Sequence, residues 1–445
     1  MMMEFVNQFC ASARAAGIDQ LNIYMEQRQS RDLSVYQGAL EHLERSDLNQ
    51  LFIEGLVDGQ AGCVFIENFD EALIPDYIQA IRDTAAVCAA EFVPYCLEGL
   101  KHTDAANGYF SDLDTTVEAM CRACNTAREA DSRIDPGISA HLAETCKRIT
   151  LGNEKQQFVT DVVSGGRCGI SLVARDGELV QPGRGGKPFR LGDIPDMDEL
   201  AHKAVEGAVS RLGSVSHGTG TYPVVLDARV MAELLDAFMP AFFARNVQSR
   251  MSVLAGKLGQ QIGGENISIV EDPFMEDGFS TRNFDDEGIP TTAKTILDRG
   301  VLNCWLHNRN TARNDGTVSG GNGFKSRFND AVATGYTNVY IPKGEKTRDE
   351  LLEQMGSGLL INSVSGVFAG ARPNSGDFSL ISGGYRIEDG KIHHAVNQIT
   401  IAGNFFEMLR NVKAIGSDEH WMIAENGNVR TPSVYVAALA ISGKE

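Results

Sequence analysis

Apolar positions along this chain switch between the four-residue spacing of helices and the two-residue alternation of strands, and the switches mark its elements. Phe5, Phe9, Ala13 and Ala16 fall on one face of a short helix that Gly17 ends. Residues 21–27, 33–37, 50–57 and 62–67 then read as strands, with Asp58-Gly59 as the tight turn between the last two. A helix is predicted over 70–90, where Leu73, Tyr77, Ile81 and Ala85 stand four apart, and the polar stretch 98–112 reads as a linker. The order then recurs: a helix over 115–130, strands over 140–150, 156–163 and 168–175, a turn at Asp176-Gly177, and a helix over 197–211. Residues do not match between the halves, so the recurrence is one of topology.

After a Ser/Gly/His linker at 214–221 the pattern changes. A short apolar strand at 223–226 leads through Asp227, a plausible N-cap, into Val230, Leu234, Phe238 and Phe242, flanked by Met231, Leu235, Met239 and Phe243. So broad a stripe predicts a largely buried helix. Pro240 lies inside it and predicts a kink near Asp236, because proline cannot donate to the carbonyl four residues back. Beyond it the pattern is mostly β. Asp298-Arg299-Gly300 separates strands at 291–297 and 301–306, and Asp389-Gly390 joins 382–388 to 391–400. A helix at 405–412 and a strand at 433–441 end the chain. The expected class is α+β: two small N-terminal α/β units, 1–98 and 110–213, followed by a larger sheet-rich domain, 219–445.

With 445 residues and 43% hydrophobic content, the chain can bury two or three cores. Its net charge of −19 argues against nucleic acid and against polybasic attachment to a membrane. It also leads one to expect that any peptide chamber would tolerate basic or neutral peptides better than acidic ones. No run is apolar enough to span a bilayer, the N-terminus lacks a signal-peptide pattern, and nine scattered cysteines suggest a reducing cytoplasm. Cys121 and Cys124 form a close pair, which two half-buried thiols explain more simply than zinc or redox chemistry.

The familiar catalytic signatures are missing. There is no His-Glu-x-x-His, no Gly-x-Ser-x-Gly elbow and no Walker loop. Gly183-Arg184-Gly185-Gly186-Lys187 reads as a mobile hairpin tip, and Ser319-Gly320-Gly321-Asn322-Gly323 as a flexible loop able to gate a cleft. His393 and His394 are adjacent on a predicted strand and point to opposite faces, so they do not share a metal. Asp285, Asp286 and Glu287 precede Gly288-Ile289-Pro290; capping of backbone N–H groups is favoured there over acid–base catalysis.

Five strings in the third segment carry a specific resemblance. They are Gly259-Gln260-Gln261, Phe284 to Thr291 (FDDEGIPT), Gly376-Asp377-Phe378-Ser379, Tyr385 to Ile392 (YRIEDGKI) and Thr400-Ile401-Ala402-Gly403-Asn404. In residues, order and separation they resemble the TldD/PmbA family, some of whose members are described as modulators of DNA gyrase. The resemblance implies a role in cytosolic proteolysis of unstructured peptides. One branch resembles a zinc metallopeptidase with His-Glu-x-x-x-His on a helix. The PmbA branch, also called TldE, lacks that set and pairs with the first.

Counting back from Gly259 places Asp236, Ala237 and Ala241 where the zinc motif would stand. Ala237 cannot act as a base and Ala241 cannot bind metal, so the chain is expected to bind no cofactor, with zinc in a TldD-type partner subunit. The family also implies a peptide substrate, held by strand addition, and Asn322, Asn374, Asp377 and Ser379 are candidates for the substrate groove. A homodimeric peptide-binding protein without peptidase activity is the alternative. A hydrolase using Asp377 with Ser379, or the Asp285 cluster, is a third.

Overall fold

The computed structural model describes residues 2–88, 90–103, 109–424 and 426–444. Part of the predicted linker, 104–108, lies outside them. The class is α+β, as expected.

The first half contains α1 (Met2–Ala15), β1 (Leu21–Tyr36), β2 (Ala39–Val57), β3 (Gln60–Ile66), α2 (Ile74–Cys88), α3 (Leu113–Ala130), β4 (Ser139–Asn153), β5 (Phe158–Asp176), β6 (Leu179–Phe189) and α4 (Met197–Val209). A helix–three strands–helix order thus occurs twice. The six strands form one antiparallel sheet in the order β3-β2-β1-β4-β5-β6. The joint is β1 against β4, paired from Asn22↔Asn153 to Tyr36↔Ser139.

The two helix pairs lie on the same face of this sheet. Leu21, Ile23 and Met25 pack beneath α1 and α2, and Leu33 and Val35 pack beneath α3 and α4. Residues two apart on a strand share a face, so all five odd-numbered side chains point to the helices. The even-numbered set, from Tyr24 to Asp32, points away from them. Between the helix pairs, where Phe110 lies over Arg31, β1 carries the polar side chains Gln27, Gln29 and Arg31. That is why two strands were expected at 21–27 and 33–37 where one 16-residue strand runs. β2 is longer than expected for the same reason, its first half being an exposed charged ribbon paired to β1.

β6 replaces the expected mobile tip at 183–187. It is an edge strand, where Pro182 and Pro188 cost no ladder bond needed by a further neighbour. Its glycines let α4 lie directly on the sheet: a Cβ on Gly183 would stand 2.0 Å from the Ala204 carbonyl oxygen and 2.9 Å from the Ala208 Cβ. Gly62 on the opposite edge strand, β3, meets α2 in the same way, 1.8 Å from the Ile81 oxygen and 2.9 Å from the Ala85 Cβ. The two halves therefore share a packing device as well as an element order.

The C-terminal half begins with β7 (Gly220–Leu226) and α5 (Ala228–Phe238). Asp227 caps α5, accepting from Arg229 N at 3.1 Å. The stripe is buried as expected, with Val230, Leu234, Leu235 and Phe238 all inaccessible. There is no kinked continuation: the α-helix stops at Phe238, and Met239–Phe242 continue as a 3-10 turn with Pro240 near its start. Proline needs no donor there, so ending the helix avoids the clash a kink would have absorbed.

The main C-terminal sheet contains Gly358–Ser365, β7, Val434–Ser442, Lys391–Asn404 and Asp377–Glu388, and pairing of the first with the last closes it into a barrel. A second sheet contains Ile269–Glu271, Asn338–Tyr340, Asn428–Thr431 and His420–Ile423, the last as an open edge. α5, the inner barrel face and this second sheet enclose the largest core.

Candidate functional site

Asp236, Ala237 and Ala241, the positions the family resemblance assigns to a zinc motif, lie at the end of α5 and just beyond it. Asp236 is on its last turn, where the Tyr336 hydroxyl donates to Asp236 Oδ1 at 2.5 Å. Burial, and then the Asp236 charge, push the Tyr336 phenol well above its ordinary range. Ala237 packs against the core and Ala241 is fully buried within it. Zinc needs three or four N, O or S donors, and these three residues supply one carboxylate already engaged by a phenol. They do not fit the metal. Among the described residues no group of three or more His, Cys, Asp or Glu is arranged to hold one. Cys304 offers no thiolate: burial pushes its thiol up to about 11.

Tyr336 opens onto a cavity of about 700 Å³ between the helix-free face of the six-stranded sheet and the C-terminal half. Its floor is the even-numbered face: Arg28, Ser30 and Asp32 of β1, Thr145 and Lys147 of β4, and Gly165 of β5. The other wall includes Phe279, Arg282, Phe324 and Lys325. Ile423 and Ala424, at the end of the open-edged strand His420–Ile423, close one side. Among the described residues, five cationic side chains and three carboxylates line the cavity, in a chain of net charge −19.

The acidic turn braces this wall. Asp285 Oδ1 accepts from Glu287 N at 3.0 Å and Ile289 N at 2.9 Å, and Oδ2 accepts from Gly323 N at 2.8 Å. Gly288 takes φ 74° in the turn, which favours glycine. Asp286 Oδ1 accepts from Arg282 Nη2 at 2.8 Å and its Oδ2 from Lys325 N at 2.8 Å. Burial works against the Asp286 charge, but Arg282 and Lys147 outweigh it and hold the carboxyl below its usual range. The Lys325 ammonium sits 4.2 Å from the Phe52 ring centre and 4.9 Å from that of Tyr24. Burial lowers its pKa against the pull of Asp286 and Glu26.

Asp285 behaves differently from Asp286. Burial, then the Glu287 charge, push it up to about 7 despite its three N–H donors. The folded state therefore keeps a proton that an unfolded aspartate releases near about pH 3.9. Its contribution to stability is complete below about pH 4 and is lost as pH rises through about 7. Asp285→Asn is expected to flatten that dependence. It should also cost about 1–3 kcal/mol, because an amide has one oxygen for three buried donors. Urea midpoints at pH 4, 5.5 and 7.5 for both proteins check this; parallel curves would contradict it.

The four groove candidates do not meet at this cavity. Asn322 is fully buried, donating to both Glu271 oxygens at 3.0 and 2.9 Å and to the Gly335 carbonyl at 3.0 Å. The expected flexible loop at 319–323 is in fact packed, with Ser319 Oγ bound to the His307 carbonyl at 2.6 Å. Asn374, Asp377 and Ser379 are exposed at the turn and strand start by the barrel, and none lines the cavity. Asp377 accepts from Asn404 Nδ2 at 3.0 Å, fixing the residue that caps the Phe405–Arg410 helix. The cavity residues themselves gave no motif. Their one trace was the polar run in the middle of β1, which reads as a break between strands.

Residues 111–212 match the family profile described as the PmbA/TldA metallopeptidase central domain, and residues 219–443 match that of its C-terminal domain. A metalloprotease from Methanothermobacter thermautotrophicus is 30% identical over 56% of this chain, which spans 55% of that protein. A metalloprotease PmbA homolog from Buchnera aphidicola is 28% identical over 95% of this chain and 93% of its own length. Among solved structures, a candidate modulator of a DNA gyrase from Thermotoga maritima superposes with a TM-score of 0.89 at 29% identity, covering 99% of this chain and 100% of that one. TldE from Thermococcus kodakarensis gives 0.88 at 21% identity with full coverage of both, a likeness of fold.

Proposed function

Since the chain belongs to the PmbA/TldD family, we propose that it is the PmbA/TldE-type subunit of a two-subunit metallopeptidase that degrades unstructured peptides in the cytoplasm. A TldD-type subunit supplies the zinc and the general base. This chain supplies a wall of the peptide chamber. The observation that carries the reading is the donor set at the end of α5, where Asp236, Ala237 and Ala241 leave nothing to complete a zinc site.

The cavity suits the second role. The barrel, being closed, leaves few free edges, whereas His420–Ile423 ends its sheet with an unpaired edge beside the cavity. An extended peptide adding to that strand would be held through its main chain, which suits broad sequence tolerance. Burial, reinforced by Arg229 and Lys203, pushes His420 down to about 4. The edge therefore carries no imidazolium charge at neutral pH. No described helix is long and apolar enough to cross a membrane.

Elemental analysis of the purified chain tests the donor-set argument. Less than a tenth of an equivalent of zinc is expected after dialysis against zinc-containing buffer. One tightly held zinc per chain would overturn the reading.

A further inference from the structure

The cavity floor is charged in an ordered way. Arg28 on β1 is the direct cross-strand partner of Lys147 on β4. Side chains so placed stand about 5 Å apart at Cβ, and like charges there repel. Lys147 reaches Glu26 only at 3.8 Å. No hydrogen bond or ion pair engages the half-buried Arg28 guanidinium among the described residues. Four residues further along the same face, about 13 Å, Asp32 is paired with Glu44 of β2, and Arg167 of β5 stands in the same row beyond Ala143. The floor therefore has a cationic pair at one end and a row of mixed charge at the other.

Two adjacent cations, one without a partner, on the floor of a 700 Å³ cavity form a seat for an anion. The occupant must also fit the peptide-holding role proposed above, on which this inference rests. We propose that Arg28 and Lys147 bind a carboxylate of the extended peptide, either an acidic side chain or the free C-terminus, and make this subunit select peptides that present one there. The overall charge of the chain would have suggested the opposite preference.

Titration calorimetry of the purified chain with four unstructured eight-residue peptides tests this. All share one uncharged core. One is acetylated and amidated, one carries a single Glu, one carries a free C-terminal carboxylate, and one carries a single Lys. The Glu peptide, the free-carboxylate peptide or both should bind roughly tenfold more tightly than the neutral one, the order of one charge-assisted hydrogen bond. Which of them does so identifies the source of the carboxylate. The Lys peptide should bind more weakly than the neutral one. Arg28→Gln should collapse the acidic-to-neutral ratio toward one, Lys147→Gln should do the same independently, and Arg28→Glu should invert it. Raising salt from 50 to 500 mM should shrink the ratio, since the seat is only half-buried. Equal binding of acidic and neutral peptides, or a ratio unchanged in both Gln variants, would overturn the assignment and leave peptide holding intact. Failure of all four peptides to bind would overturn the peptide-holding reading, and this inference with it.

Discussion

Glu144→Ala is expected to lower the unfolding free energy by about 3–5 kcal/mol, the cost of breaking a buried ion pair from one side. Glu144 is inaccessible to solvent and Arg31 is nearly so. Arg31 Nε donates to Glu144 Oε2 at 2.7 Å, and Nη2 also reaches that oxygen. Ser111 fills Oε1 with its backbone N at 3.0 Å and its hydroxyl at 2.9 Å. Arg31 Nη2 donates to the Ser111 hydroxyl at 2.7 Å as well. Alanine would leave a guanidinium buried with no counter-charge, held by the Ser111 hydroxyl and the face of Phe110. Arg31 and Glu144 pair across the β1–β4 joint, in the polar gap between the two helix pairs. The apolar double variant Arg31→Met/Glu144→Met should regain much of the loss, because an apolar pair strands no charge. Urea unfolding checks both, and a loss below about 1 kcal/mol in Glu144→Ala would show that the pair is solvated.

This bond bears on function through geometry. β1 and β4 carry Arg31 and Glu144 toward the helices, and Arg28 and Lys147 toward the cavity. The buried pair thus fixes the register that sets the two cavity cations opposite each other. A slip of β4 by one residue would turn Lys147 to the helix side and away from Arg28.

Much of the fold could be read from local pattern. Asp58-Gly59 and Asp389-Gly390 join their hairpins with positive φ at both residues, as two-residue turns require. The acidic turn caps backbone N–H groups, as its residue types suggested. The misreadings share a cause, namely that a distant segment decides what a local pattern means. Polar residues in the middle of β1 look like a loop until the gap between helix pairs and the facing cavity are known. Gly183 and Gly185 look like a mobile tip until α4 is laid across them: a Cβ on Gly185 would stand 2.2 Å from the Leu200 oxygen. Asn322 looks like a free loop residue until Glu271, 51 positions earlier, is brought to it.

The candidate site was legible only where a motif persisted or was lost. The five strings located the family, and the alanines at 237 and 241 suggested where a zinc motif would be interrupted. Arg28, Lys147, Arg282 and Tyr336 belong to no string. They are scattered over more than 300 positions and meet only because the helix-free sheet face lies against the C-terminal half. A composition-level charge could not anticipate the sign of a surface assembled that way.

The most direct test of the central claim is a peptidase assay with a zinc-loaded TldD-type family member as the partner. Hydrolysis of an unstructured peptide should be negligible for each subunit alone and should appear on mixing, saturating at equimolar ratio. Full activity from the metal-bearing subunit by itself, or zinc-dependent hydrolysis by this chain by itself, would contradict the account.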